Sequence, residues 1–102
     1  MDSSRYFSIK LFLRDERRNS DGKAMIYARI RLDRNKIELS TNKSVKPAHW
    51  DAATCTVTRT KEATTINQHV EAFKARINNA YSQLYIAQQE ITLESIKALA
   101  LG

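Results

Sequence analysis

The chain has one cysteine, one proline, two glycines and no long hydrophobic run. A lone cysteine, Cys55, excludes an internal disulfide framework and a multi-cysteine zinc site. Two glycines cannot build a glycine-rich phosphate loop. Apolar runs such as Leu11-Phe12-Leu13 are far too short to cross a bilayer, so no membrane partner is expected. The opening Met1-Asp2-Ser3-Ser4-Arg5 contains no signal-peptide core, and a reducing, intracellular compartment is the expectation. The only histidines, His49 and His69, have no Cys or carboxylate partner at ligand spacing, whereas a zinc site needs three or four ligands. Adjacent acids such as Asp15-Glu16 are ordinarily solvated, and Cys55 has no base near it in sequence to activate it. No cofactor, metal or small-molecule substrate is expected, and no catalysis by this chain alone.

What is present is basic charge, unevenly placed. The 102 residues carry 17 Lys+Arg against 11 Asp+Glu, a net +6, and 42% are hydrophobic. That length and composition fit one small globular core. Through Lys61 there are 14 basic and seven acidic residues, net +7; from Glu62 onward three basic and four acidic, net −1. An asymmetry of this kind is the footprint of a surface for polyanions, although basic strands can also be merely solvated.

Hydrophobic period divides the chain in the same way. Residues 6–14 alternate, with Phe7, Ile9, Leu11 and Leu13 on one face and Tyr6, Ser8, Lys10, Phe12 and Arg14 on the other, which predicts a half-buried strand. A polar loop over 15–23 follows, in which Asp21-Gly22 supplies the positive φ of a hairpin turn. Residues 24–32 alternate again, Ile26, Ala28, Ile30 and Leu32 inward and Met25, Tyr27, Arg29 and Arg31 outward. After a turn at Asp33-Arg34-Asn35, residues 36–40 form a shorter strand with Ile37 and Leu39 inward and Lys36 and Glu38 outward. Residues 41–51 read as a connector with a helical turn starting at Pro47, and Trp50 capping the core. Residues 54–60 read as a short edge strand or loop. From 62 to 89 the apolar spacing becomes helical, through Ile66, Val70, Phe73, Ile77, Ala80, Tyr81 and Leu84. His69 sits beside this stripe, on the surface. Thr92 caps a second helical start over 93–101, too short to stand alone. The predicted fold is α+β: a three-stranded antiparallel meander packed against one long C-terminal helix, with a helical tail leading into a further domain.

A helix on one side of the sheet leaves the other side to solvent. That face would display Lys10, Phe12, Arg14, Tyr27, Arg29, Arg31, Lys36 and one acid, Glu38. Cations displace condensed counterions from phosphates, and arginine forks match guanine O6 and N7. Phe12 and Tyr27 can pack on thymine methyls or sugars, and a β-ribbon fits the major groove. Arg17, Arg18 and Lys23 in the hairpin loop would reach flanking phosphates. Two other readings compete: a single-strand or RNA-binding sheet in which Phe12 and Tyr27 stack bases, and a protein-interaction module using the long helix, Tyr85, Ile86 and the tail.

The ordered set of segments Ser8-Ile9-Lys10-Leu11-Phe12-Leu13-Arg14, Asp21-Gly22-Lys23-Ala24-Met25-Ile26-Tyr27-Ala28-Arg29-Ile30, Ile37-Glu38-Leu39-Ser40-Thr41, Val45-Lys46-Pro47-Ala48-His49-Trp50-Asp51 and Ile66-Asn67 resembles a known family. It is similar to the N-terminal arm-type DNA-binding domain of tyrosine recombinases, the lambda-integrase-like enzymes of conjugative transposons and related mobile elements. The resemblance implies a three-stranded sheet on a C-terminal helix, with the sheet face in the major groove of arm-type sites. The contact set would be Lys10, Phe12, Arg14, Tyr27, Arg29, Arg31 and Lys36, with Pro47 and Trp50 structural. It further implies an arm-binding domain over 1–90, with 91–102 the linker and start of a helical core-binding domain. The family's catalytic Arg, His-x-x-Arg and Tyr belong to another domain. Here His49 is followed three residues on by Ala52 and His69 by Ala72, so the chain would be a non-catalytic piece of a recombinase. Its partners would be double-stranded DNA and the remaining recombinase domains, in the bacterial cytoplasm at the nucleoid.

Overall fold

The computed structural model describes residues 6–101. The leaderless start read at Met1–Arg5, and Gly102 at the end of the tail, lie outside the described residues. Strands β1 (Phe7–Arg18), β2 (Ala24–Leu32) and β3 (Asn35–Val45) form one antiparallel sheet in the order β1-β2-β3. A 3-10 turn over Pro47–His49 leads to a small hairpin of β4 (Trp50–Asp51) and β5 (Thr56–Val57). Helices α1 (Ala63–Ile86) and α2 (Leu93–Leu101) complete the chain. This is the expected α+β meander on a long helix.

The inward strand residues behave as their period requires. Ile26, Ala28 and Ile30 on the central strand are wholly buried, and Leu11 and Leu32 nearly so. The α1 stripe Val70, Phe73, Ile77, Ala80 and Leu84 closes the core from the other side, with Ile66 and Tyr81 half-buried at its margins. The Phe7 ring stacks on Tyr81 with centroids 4.1 Å apart, pinning the sheet's edge strand to the helix. Asn67 clamps β5 to α1: its Oδ1 accepts from the Val57 N–H at 2.8 Å, and its Nδ2 donates to the Val57 carbonyl at 3.0 Å.

The helix ends at Ile86, three residues short of the expected Gln89, and in the three-stranded sheet three boundaries differ from the sequence expectation, each for a local reason. β1 continues four residues beyond Arg14, so Arg17 and Arg18 stand on a strand and not in a loop. The pairing shifts between Leu13 and Arg18, and from Asp15 to Arg18 every residue of the strand is exposed, so alternation is no longer required. The turn itself is confined to 19–23. Asn19 closes it by accepting the Asp21 and Lys23 N–H groups on its side-chain oxygen, and Gly22 takes φ +76 as anticipated. β3 runs to Val45 and not to Ser40, because a second irregularity between Met25 and Tyr27 inserts extra β3 residues, with Asn42 at φ 63. Thr41 is buried there and donates its hydroxyl to the Ile26 carbonyl at 2.8 Å, which removes the polar penalty of placing it in the core. His69, exposed as expected, lies with Nε2 3.0 Å from the Thr41 carbonyl.

The tail begins with reciprocal caps. The Thr92 hydroxyl accepts the Ser95 N–H at 3.0 Å, and the Ser95 hydroxyl accepts the Thr92 N–H at 2.9 Å. Leu93 and Ile96 of α2 are buried in the same cluster as the sheet and α1, while Leu99 and Leu101 remain exposed. Among the described residues, no helix is long and apolar enough to cross a membrane, and no three metal-ligating side chains come together.

Candidate nucleic-acid interface

The outward face of the sheet is ordered by register. Pairing sets Ser8 opposite Arg31 and Arg31 opposite Lys36; Lys10 opposite Arg29 and Arg29 opposite Glu38; Phe12 opposite Tyr27 and Tyr27 opposite Ser40. Three strands about 4.8 Å apart make a panel roughly 10 Å across, comparable with the ~12 Å width of the B-DNA major groove. Seven of the ten sequence-predicted site residues, Lys10, Phe12, Arg14, Tyr27, Arg29, Arg31 and Lys36, therefore share one panel. Arg17, Arg18 and Lys23 lie apart, on the hairpin arm beyond the β1 bulge.

The panel has a locked centre. Phe12 and Tyr27 sit with ring centroids 6.0 Å apart. The Arg14 guanidinium lies 4.3 Å from the Tyr27 ring centre, and that of Arg29 lies 4.6 Å from the Phe12 ring centre. Both arginines converge on Glu38. Arg29 donates through Nε, with its Nη2 also 2.9 Å from the same oxygen, Oε2; Arg14 donates through Nη2 to Oε1. The hydrogen bond from Arg29, then that from Arg14, holds the Glu38 carboxyl below the ordinary glutamate pKa, against the opposing effect of desolvation. Arg14 is the more tightly enclosed arginine; its Nε is buried without a hydrogen-bond partner, and Nη1 is 3.5 Å from Glu16.

The cations around this centre differ. Lys10, Arg31 and Lys36 are exposed and make no ion pair among the described residues. Arg31 and Lys36 are directly paired across the strands, a like-charge juxtaposition that costs stability in the absence of an anion. On the hairpin arm, Arg18 is held by Asp15 at 2.8 Å, while Arg17 and Lys23 are exposed without such a partner among the described residues. By sequence these cations are equivalent; the structure sorts them into those held by a carboxylate and those that are not.

Three further basic residues lie on or beside the sheet. Arg34 stands in the β2–β3 turn next to the Arg31–Lys36 pair. Lys43 lies on the unanticipated end of β3, and Lys46 follows it; Lys23, Lys46 and His49 line one shallow groove with Ser44, Val45, Thr60, Glu62 and Ile66, toward the start of α1. The signal for Arg34 was its place in a turn between two basic strands. Lys43 and Lys46 were masked by the bulge, which breaks the period of two. Pro47 begins the 3-10 turn, and half-buried Trp50 packs against the core, so neither belongs to the panel. A family model described as an arm DNA-binding domain matches residues 11–97, a span that includes most of the sheet, α1 and the start of α2. No curated protein and no solved structure matches the chain.

Proposed function

The chain belongs to the arm DNA-binding domain family, a non-catalytic DNA-binding module of integrase-type proteins, and from that premise we propose that it anchors a tyrosine recombinase to double-stranded arm-type sites during recombination and integration of a mobile element. The outward panel enters the major groove. Arg31, Lys36 and Lys10 meet phosphates, the Phe12–Tyr27–Arg14–Arg29 centre meets base edges, and Arg17, Arg18 and Lys23 on the hairpin arm follow the flanking backbone. The 91–102 segment leads toward the recombinase's core-binding domain, and the DNA it serves is that of a bacterial nucleoid, in the cytoplasm. The observation that carries this reading is the three-row panel itself, in which strand register collects cations and two aromatics on the face opposite α1.

The direct test is chemical-shift mapping on the 102-residue chain with short duplexes. Perturbations centred on Lys10, Phe12, Tyr27, Arg29, Arg31 and Lys36 are the expected result, with binding lost in Arg29→Ala or Arg31→Ala while the fold is kept. Perturbations confined to α1, or unchanged binding in both variants, overturn the panel as the contact surface. One observation favours a second reading: Tyr85 and Ile86 are exposed at the end of α1 beside Tyr81, an apolar patch suited to a protein neighbour.

A further inference from the structure

The one acid in the panel has a specific geometry. Arg29 spends Nε and one side of Nη2 on Glu38 Oε2. A guanidinium has five N–H donors in a rigid fork, so its Nη1/Nη2 end remains unpartnered among the described residues. That end is a bidentate donor with the spacing of guanine O6 and N7. The Phe12 ring packs against the same guanidinium, 4.6 Å from ring centre to its central carbon. The second Glu38 oxygen is held by Arg14, whose own guanidinium is seated on Tyr27 and whose Nε has no partner. Glu38 cannot swing away from Arg29 without also giving up its bond to Arg14, which would be left with Glu16 alone, 3.5 Å away. A carboxylate at this point also weakens the pull of the panel's centre on a phosphate, whereas the Arg31–Lys36 pair at its end keeps its full charge.

We propose that Glu38 is a positioning residue that turns Arg29 from a general phosphate-binding cation into a guanine-reading fork, with Arg14, Tyr27 and Phe12 bracing the assembly. This deepens the DNA-binding reading above and rests on it. The panel then has two parts with different roles. Its centre selects a G·C pair, and Lys10, Arg31 and Lys36 supply sequence-independent affinity. Glu38 thus trades non-specific affinity for discrimination, because it neutralises charge that would otherwise release counterions from any duplex.

The test is selection from a library of random duplexes, with salt-dependent binding to one arbitrary duplex measured in parallel, for the unaltered chain, Glu38→Gln and Arg29→Lys. The unaltered chain is expected to enrich a motif with a required G·C pair. Glu38→Gln keeps the volume and one acceptor; it should bind the arbitrary duplex several-fold more tightly, with a steeper salt dependence, and lose roughly tenfold or more of its preference at that pair. Arg29→Lys keeps the charge but not the fork, and should lose the same preference at nearly unchanged salt dependence. Thermal unfolding of both variants, expected to remain cooperative, separates loss of reading from loss of fold. The inference is overturned if either folded variant selects the same motif with the same preference, or if the unaltered chain binds duplex DNA with no base preference. No binding of duplex by the unaltered chain overturns the proposed function as well, an outcome distinct from the other two.

Discussion

Lys36→Glu should make the protein more stable and a poorer ligand for DNA at the same time. Lys36 faces Arg31 directly across β2 and β3, two residues from the turn, and neither has a counter-charge among the described residues. Replacing a like-charge cross-strand pair with an opposite one relieves a repulsion and adds an attraction, together about 0.5–1 kcal/mol at an exposed position. For a domain of this size that corresponds to a rise in Tm of roughly 2–8 °C at low salt, shrinking as salt is added. If Lys36 neutralises one phosphate, its loss lowers the slope of log K against log salt by about 0.9, equivalent to about eightfold in affinity at 0.1 M salt. The added carboxylate weakens binding further. Thermal unfolding by circular dichroism and fluorescence anisotropy across a salt series read the two effects. Lys97→Glu, the same charge change at an exposed position of α2, is the control and should cost far less affinity. A lower Tm for Lys36→Glu, or a loss of affinity no greater than that of Lys97→Glu, refutes the reasoning.

Other perturbations probe the support of the panel and its chemistry. Ile77→Ala empties the most enclosed position of α1, wholly buried under the sheet, and should cost about 2–5 kcal/mol in a urea titration with little change in the m-value. Gly22→Ala meets no neighbouring atom, yet must hold φ +76; about 1 kcal/mol of destabilisation is expected from conformation alone, read as a shift in the urea midpoint. Thr92→Ala removes the acceptor for the Ser95 N–H and should cost about 1 kcal/mol, seen as faster amide exchange in α2 than in α1. For Glu38 the folded pKa is lowered, so its contribution is fully present above the unfolded value and lost as pH falls through the folded one. An acid titration of stability should therefore show Glu38→Gln losing its deficit against the parent chain only at acidic pH, and a constant difference down to about pH 2 would contradict this.

The sheet and α1 were legible because each has one buried face and one wet one, so period alone reports the element. Phe7, Ile9, Leu11 and Leu13, then Ile26, Ala28, Ile30 and Leu32, state the sheet's inner face without ambiguity. The ends were not legible, for two physical reasons. From Asp15 to Arg18 every residue of β1 is exposed, so Arg17 and Arg18 are free to be polar and carry no period. Past Ser40 the β3 irregularity offsets the alternation, and Thr41, a polar residue on the inner side, is admitted only because the Ile26 carbonyl accepts its hydroxyl. The members of the panel followed from alternation, but their pairing did not. That Glu38 lies against Arg29 depends on a two-residue turn at Asp33-Arg34, and that Arg14 reaches the same carboxylate depends on how β1 enters its bulge.

The choice of β2 as the central strand ties recognition to stability. Tyr27, Arg29 and Arg31 alternate along it with Ile26, Ala28 and Ile30, each of which is wholly buried. Every outward side chain of the panel's middle column is therefore bracketed by two anchored neighbours, and its Cα cannot move without disturbing the core. Arg29 stands between Ala28 and Ile30, and with its guanidinium held by Phe12 and Glu38 it is restrained at both ends of a long, rotamer-rich side chain. The ordering entropy that binding would otherwise demand of this arginine is already spent in the folded protein. The charged ends of Lys10, Arg31 and Lys36 are not held in this way and suit phosphates, whose contact geometry is permissive. Rigidity on this face is thus graded in the same order as the geometric demand of the contacts each residue is proposed to make.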